Sequence, residues 1–254
     1  MKKLSVVIIA RNEETSLPRC LEAVRWADEI IMGDSGSADR TVEVARMHGV
    51  KAFSYEWRGF GPAKQGAVDR AEGEWILSID ADEEVTPELA AEIRVALERN
   101  DHTVGYYLPR RTEFLGRWML HGGWYPDYVL RLFRKDRGAF TSAMVHETVR
   151  VDGPTAYLKN DLLHHSYPTL DRYFDKFNRY TTLAANEAFA GGQHVSLAEL
   201  LVNPIAKFIK QYILKGGFLD GARGLLLAIL SSGYVSIKYA KLRDLWRQKR
   251  EGSN

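Results

Sequence analysis

Hydrophobic and polar positions change period several times along the first hundred residues. Leu4–Ile9 is an apolar run, interrupted only by Ser5, of the kind carried by a strand buried on both faces. Leu17, Cys20, Leu21 and Val24 then recur at the three- and four-residue spacing of one helix face. Residues 29–32 return to a strand, 39–47 to a helix and 50–53 to a short strand. Lys64–Ala71 reads as a helix and Trp75–Ile79 as a second predominantly apolar strand. Thr86-Pro87-Glu88 starts another helix, with an N-cap residue followed by Pro at the first helical position. This βαβαβ series predicts an α/β fold: a mostly parallel sheet, flanked by helices, with right-handed crossovers.

From Gly105 the texture differs. GYYLPRR, VLRLFR, VHETVRV and AYLKN are short strand signals separated by Gly- and Pro-containing turns, so the sheet is expected to continue in mixed sense. Leu170, Tyr173, Phe174, Phe177, Tyr180, Thr181 and Ala184 define one amphipathic helix. Beyond Ser196 further helices follow, one interrupted at Pro204 and one starting after Gly216-Gly217. The reading divides the chain into a sheet-bearing domain, 1–168, and a helical C-terminal region, 169–254.

Composition fits one large α/β domain with an appendage: 254 residues, 45% of them hydrophobic. The single cysteine, Cys20, excludes an intramolecular disulfide and suits a reducing compartment. The opening MKKLSVVIIARNEE has the basic start of an export signal, but its apolar run is short and charge follows at once, so it reads as a first strand.

A net charge of +2 hides an asymmetry. Lys207 to Arg250 contains ten Lys or Arg against two Asp, leaving the remainder at −6. Apolar and aromatic residues are interleaved with these cations, which points to an anionic membrane surface and away from nucleic acid. Gly224–Ile237 is uncharged, but its 14 residues fall short of the roughly 20 that span a bilayer, so the segment is expected to be interfacial or packed. The alternative for such helices is docking on the domain itself or on a partner subunit, a second copy of the chain included.

The candidate chemistry lies where strands end. Asp80-Ala81-Asp82 terminates the second apolar strand, and Asp34-Ser35-Gly36-Ser37 follows residues 29–32. In an open α/β sheet both turns emerge on the carboxyl edge, where ligands collect. An Asp-x-Asp there suits Mg²⁺ or Mn²⁺ held against a phosphate group; alone, it also fits an acidic turn capping a core strand. Asp34 is likewise either a nucleobase acceptor or an Asx-turn, and Gly36 permits close backbone approach. Arg131 and Arg134 in RLFR are expected on one face, meeting either phosphate or solvent. The loop Leu120–Tyr128 carries glycines and aromatics, Trp124 and Tyr125 among them, that suit either an acceptor or lid loop stacking on a ring ligand or a plain packing loop.

The ordered pieces SVVIIARNEE, DSGSADRT, GFGPAKQGA and GEWILSIDADEE resemble glycosyltransferase family 2, the inverting enzymes with a GT-A, Rossmann-like nucleotide-sugar-binding fold. RLFRKDRG, VHE, LLHHSYPTLDRYF and GGFLDGARG extend the resemblance to the subgroup that includes a lipopolysaccharide inner-core β-1,4-glucosyltransferase. The resemblance implies a hexosyl transfer from a nucleotide-diphosphate donor, a UDP-sugar first among them, to a lipid-linked acceptor such as lipopolysaccharide core. It also implies a peripheral location, at the cytoplasmic face of the inner membrane or in the cytoplasm. Ala10, Arg11 and Glu13 would line the nucleotide pocket, Asp34 would meet the base, Lys64 the nucleotide or its diphosphate, and Asp80 the ribose or donor sugar. Asp82 would hold the metal, with His164 and Asp80 as further candidate ligands.

Inversion needs a base for the acceptor hydroxyl, and the family's usual acidic dipeptide is absent downstream of Asp82. Val145-His146-Glu147 is similar to the subgroup's equivalent, which makes Glu147 the first candidate, His146 the second and Asp127 the third. Three alternatives stand beside this reading: transfer to a polyprenyl phosphate, a sugar-nucleotide pyrophosphorylase, and a non-catalytic nucleotide-sugar-binding module. The pyrophosphorylase would need a glycine-rich basic loop where Arg11-Asn12-Glu13-Glu14 stands.

Overall fold

The computed structural model describes residues 4–99, 101–141 and 148–251. In chain order the elements are β1 (Leu4–Ala10), α1 (Leu17–Val24), β2 (Glu29–Asp34), α2 (Thr41–Met47), β3 (Lys51–Ser54), α3 (Phe60–Arg70), β4 (Trp75–Asp80), β5 (Glu83–Val85) and α4 (Pro87–Glu98). They continue with β6 (Gly105–Phe114), β7 (Arg117–Trp118), β8 (Asp127–Arg134), β9 (Gly138–Phe140), β10 (Val149–Val151), β11 (Thr155–Tyr157) and β12 (Leu162–Tyr167). Three helices close the chain: α5 (Leu170–Ala190), α6 (Leu197–Phe208) and α7 (Gly221–Glu251). A π turn, Ile209–Leu214, and a 3₁₀ turn, Gly217–Asp220, lie between α6 and α7.

The main sheet runs β3-β2-β1-β4-β8-β6-β12-β5. The first four of these are parallel, and β8 is antiparallel to both β4 and β6. The parallel half follows from the βαβ connections, and the antiparallel additions supply the mixed half expected from residue 105 onwards. β9 and β10 form a separate two-stranded ribbon.

The chain forms two compact units. The first comprises 1–111 with 127–165, the second 112–126 with 166–254. The second unit therefore includes residues 112–126, which the sequence reading placed in the first.

In the first unit strand alternation divides the core between the two faces of the sheet. Val6, Ile8, Leu77 and Leu132 face α1 and α4 through Leu17, Leu21, Leu89 and Ile93. Val7, Ile31, Ile76 and Phe133 face α3 through Ala67 and Val68. Two expected helix starts occur as the sequence suggests. Thr86 Oγ1 accepts from the Leu89 amide and Ser196 forms a capping box with Glu199.

At the amino edge of the sheet Glu29 ties four segments together. Its carboxylate accepts from Ser5 Oγ at 2.5 Å, Lys51 Nζ at 2.8 Å and the Glu72 amide at 2.8 Å. Burial disfavours the ionised carboxylate, but these donors outweigh it and hold the Glu29 pKa down at about 2.

In the second unit Phe114, Met119, Tyr173 and Leu227 form one core cluster and Ala185, Val195 and Leu242 another. α7 is bonded to its neighbours along its length. Tyr234 Oη reaches the Tyr180 carbonyl, Ser232 Oγ the Pro204 carbonyl, and Lys241 Nζ the Asn178 carbonyl and side chain. Two details differ from expectation. α6 continues through Pro204, which is buried in the helix interior. And α7 is longer than its uncharged run: by length and composition it is able to cross a membrane, with a mean hydropathy of 1.3 over 18 residues. The break at Gly216-Gly217 occurs as expected, with Gly216 left-handed at φ +67°. A side chain at Gly224 would strike the Gly217 carbonyl, so the start of α7 packs onto that turn.

A Glu29→Gln variant should be about 2 kcal/mol less stable than the parent at pH 7, by chemical denaturation. The folded-state pKa is depressed, so the contribution of Glu29 is complete above the ordinary carboxylate range. It declines as pH falls towards about 2, and the two denaturation midpoints should converge there.

Candidate active site

The site is assembled at the carboxyl ends of β1, β2 and β4. Ala10 is registered with Asp34 across β1 and β2, and Ile9 with Asp80 across β1 and β4, so all three strands end on one edge. The loops after β1 and β2 are bonded to one another. Asn12, in the left-handed region at φ 56°, accepts from the Ala38 amide through its side chain, and its own amide donates to Ser37 Oγ. The Glu13 amide donates to Thr41 Oγ1. These cross-ties fix the backbone on which Ala10, Arg11 and Glu13 sit, with Ala10 buried and Arg11 exposed.

Asp34 is buried beneath this shelf. Its carboxylate accepts from the Gly36 amide at 3.0 Å, the Ser37 amide at 3.1 Å and Ser37 Oγ at 2.5 Å. This is the Asx-turn geometry, and Gly36, at φ +91°, permits the turn. Tyr55 donates its amide to the Asp34 carbonyl, and Gly33 passes close under the Phe53 and Tyr55 rings. Burial raises the pKa of the Tyr55 hydroxyl.

Asp80 and Asp82 have different surroundings. Asp80 Oδ1 lies 2.8 Å from Lys64 Nζ, and Asp80 Oδ2 2.6 Å from an Arg131 guanidinium nitrogen. The same Arg131 nitrogen is 2.8 Å from Glu83 Oε1, to which Arg110 also donates at 3.2 Å. Arg110 then places two nitrogens on Asp127 Oδ2, at 2.6 and 3.0 Å. Glu83 Oε2 accepts from the Asp80 amide at 2.9 Å. Lys64 and Arg131 are buried, and the Glu83 side chain is wholly so. Burial favours protonation of Asp80, but Arg131 and Lys64 hold its carboxyl well below the usual range. Ala81, between the two aspartates, is buried.

Asp82 faces β12. Because β5 and β12 pair antiparallel, His164 is opposite Glu83, and its Nε2 comes within 3.4 Å of Asp82 Oδ1. His165 bonds Glu84 through Nε2 at 2.9 Å, and its amide donates to the Asp82 carbonyl. Asp82 and His164 are the donors here that suit a divalent cation. Two ligands about 2.1 Å from one ion stand roughly 3 to 3.4 Å apart, which matches their separation. Among the described residues no three His, Cys, Asp or Glu form a complete metal site, so such an ion would take its remaining ligands from phosphate and water.

Other expected site residues are distributed as follows. Arg131 and Arg134 are three residues apart on β8, an odd separation that turns them to opposite faces. Only Arg131 joins the aspartates, and Arg134 pairs with Asp136 at 3.0 Å. Trp124 packs edge-on against Tyr167 in the second unit. Asp127 is joined to Arg110, while His146 and Glu147 lie outside the described residues. Sequence reasoning overlooked Tyr55, Glu83 and Arg110. For Glu83 the signal was its place in the acidic run DADEE, where only the alternate aspartates drew notice. It also overlooked the pairing in the second unit of His121 Nδ1 with the buried Asp220, at 2.9 Å.

A family model described as Glycosyl transferase family 2 matches residues 5–151. The lipopolysaccharide core biosynthesis glycosyltransferase LpsC of Rhizobium meliloti is 31% identical over 94% of this chain and 91% of its own length. An uncharacterized glycosyltransferase of Rickettsia typhi, RT0209, is 28% identical over 96% of this chain and 88% of its own. Among solved structures, glucosyl-3-phosphoglycerate synthase of Mycobacterium tuberculosis, in complex with Mn²⁺, UDP and glucosyl-3-phosphoglycerate, matches with a TM-score of 0.43 at 18% identity. That match covers 53% of this chain and 57% of the other.

Arg131→Met leaves the Asp80 and Glu83 charges buried with one cation fewer, and should lower stability by about 3 to 5 kcal/mol in equilibrium denaturation. Arg134→Met, on the other face, should stay within about 0.5 kcal/mol of the parent.

Proposed function

The chain belongs to glycosyltransferase family 2, and we propose that it transfers a hexose, with inversion, from a nucleotide-diphosphate donor to a glycolipid acceptor of the lipopolysaccharide-core type. The observation that carries this reading is the carboxyl edge itself. There Asp82 stands beside His164, next to an Asp80 whose charge is already compensated, on strands whose loops are cross-tied. The family match leaves the pyrophosphorylase reading without support. The likeness to a lipopolysaccharide core enzyme favours a lipid-linked acceptor and a place at the cytoplasmic face of the inner membrane.

In this reading the cross-tied loops receive the nucleotide, with Arg11 and Glu13 at the rim and Asp34 below. Three internal hydrogen bonds to Asp34 leave about one acceptor site, on Oδ1, for a base N–H, since two carboxylate oxygens offer about four. Lys64 and Arg131 orient Asp80 towards ribose or sugar and contribute fixed positive potential near the diphosphate. Asp82 and His164 would hold Mg²⁺ or Mn²⁺, which as a Lewis acid would neutralise charge on the departing nucleotide diphosphate. Asp80 gives both oxygens to cations, so Asp82 is the better of the two as metal ligand. Glu147 is proposed as the base that takes the acceptor hydroxyl proton, ahead of His146. Asp127, held by the Arg110 fork, is the weakest of the three candidates.

The test is a panel of nucleotide sugars assayed for nucleotide-diphosphate release with Mg²⁺ or Mn²⁺, followed by product mass on truncated lipopolysaccharide. Release with one donor, and a product heavier by one hexose, is expected; failure with every donor removes the proposal. Asp82→Asn and Glu147→Gln should each lower transfer by about a hundredfold or more, with donor binding kept in the Glu147 variant. Near-parental turnover of Glu147→Gln transfers the role of base to another residue.

A further inference from the structure

The second unit presents an apolar stripe to solvent. Leu197, Leu201, Ile205, Ile209 and Ile213 repeat every four residues along α6 and the π turn, and Leu214 and Phe218 extend the row. These side chains are between 42% and 75% exposed. On an α-helix of 3.6 residues per turn a four-residue repeat drifts sideways, and the wider π turn takes back part of that drift. A contiguous apolar surface of this kind on a soluble domain marks a binding face.

What covers it follows from charge. From Leu200 to Leu219 the chain has no Asp or Glu but three lysines, Lys207, Lys210 and Lys215. None of the three has a carboxylate partner among the described residues. They also lie close to one another: burial, and then the Lys215 and Lys210 ammonium groups, lower the Lys207 pKa. Clustered like charges without counter-charges are unfavourable until an anion joins them. A protein partner would be expected to meet a mixed surface, whereas apolar side chains bordered only by cations match the acyl boundary and phosphates of an anionic bilayer. Tyr212, packed between Phe208 and Phe218, adds an aromatic with a polar tip at that depth.

We infer that α6 and the π turn form an interfacial membrane-binding face, in which the stripe Leu197–Ile213 enters the headgroup layer of an anionic bilayer and Lys207, Lys210 and Lys215 take lipid phosphates. This assigns the membrane contact to a segment before α7. The basic end of α7, on which the sequence reading relied, instead spends Lys241 on Asn178, Thr181 and Thr182.

The experiment is flotation of the full chain with vesicles of phosphatidylcholine alone and of phosphatidylcholine mixed with phosphatidylglycerol. It uses neither donor nor acceptor, so its outcome is independent of the transfer reading. Binding to the mixed vesicles, weakened by salt, is expected. Replacing Lys207, Lys210 and Lys215 together by Gln should lower the partition coefficient about tenfold or more, and Ile205→Asp or Ile213→Asp should remove binding. All substituted positions are exposed, so melting temperatures should not change. The inference is overturned if these variants bind as the parent does, or if the parent ignores anionic vesicles; a dimer that Ile205→Asp dissolves would then assign the stripe to a second copy of the chain. Resistance of the membrane-bound chain to alkaline carbonate extraction would also overturn it, because that result assigns the anchor to a spanning α7.

Discussion

The carboxyl edge of the first unit depends on one ion network, buried at Lys64, Glu83 and Arg131 and open to solvent at Asp127. Asp80, Glu83 and Asp127 contribute three negative charges, and Lys64, Arg110 and Arg131 three positive ones, each carboxylate within 3.2 Å of a cationic nitrogen. An isolated charge in this environment would be expelled or neutralised, so the members persist only as a set. They come from α3, β4, β5, β6 and β8. The network therefore does more than neutralise Asp80: it clamps the antiparallel half of the sheet to the parallel half where β4 ends.

That clamp explains why two aspartates one residue apart have different surroundings. Strand alternation turns Asp80 towards α3 and Arg131, with Ile76 and Phe133 on the same face. After β4 the chain turns, and β5 pairs with β12, which brings Asp82 to His164. The Cys20 thiol lies 3.6 Å from the Asp80 carbonyl. Burial raises its pKa well above the usual thiol range, and the carboxylates of Glu83, Asp82 and Asp80 add to the effect. A thiol held protonated in this way packs in the core and is unsuited to nucleophilic chemistry.

The parallel half of the fold was legible because apolar runs and helix-face spacings are local signals, and the turns bearing Asp34 and Asp80 inherited their edge from that topology. Their partners were not legible. Arg131 reaches Asp80 from 51 residues further on, across an antiparallel pairing that no short-range pattern encodes. The same blindness to strand parity put Arg131 and Arg134 on one face. Pro204 was read as a break because a proline removes a helical hydrogen bond, yet α6 continues through the buried Pro204, whose carbonyl accepts from Ser232 Oγ of α7. His164 was placed near Asp82 only through the resemblance, since 82 residues separate the two in sequence.

In the second unit, the difficulty was one of assignment among basic amphipathic segments. Composition sums the cations from Lys207 to Arg250 without regard to which have partners. In α7, Lys241 bonds the α5 backbone and side chains, Arg243 donates to the Val195 carbonyl, and Arg247 pairs with Asp244. Lys241 and Arg243 thus tie α7 to other segments of the unit, while Arg247 is neutralised within α7. In α6 and the π turn the lysines have no such partners among the described residues, and Leu197, Leu201, Ile205, Ile209 and Ile213 are exposed beside them. Which basic segment is free to meet an anionic surface depends on which cations folding leaves without partners, and net charge alone does not reveal that.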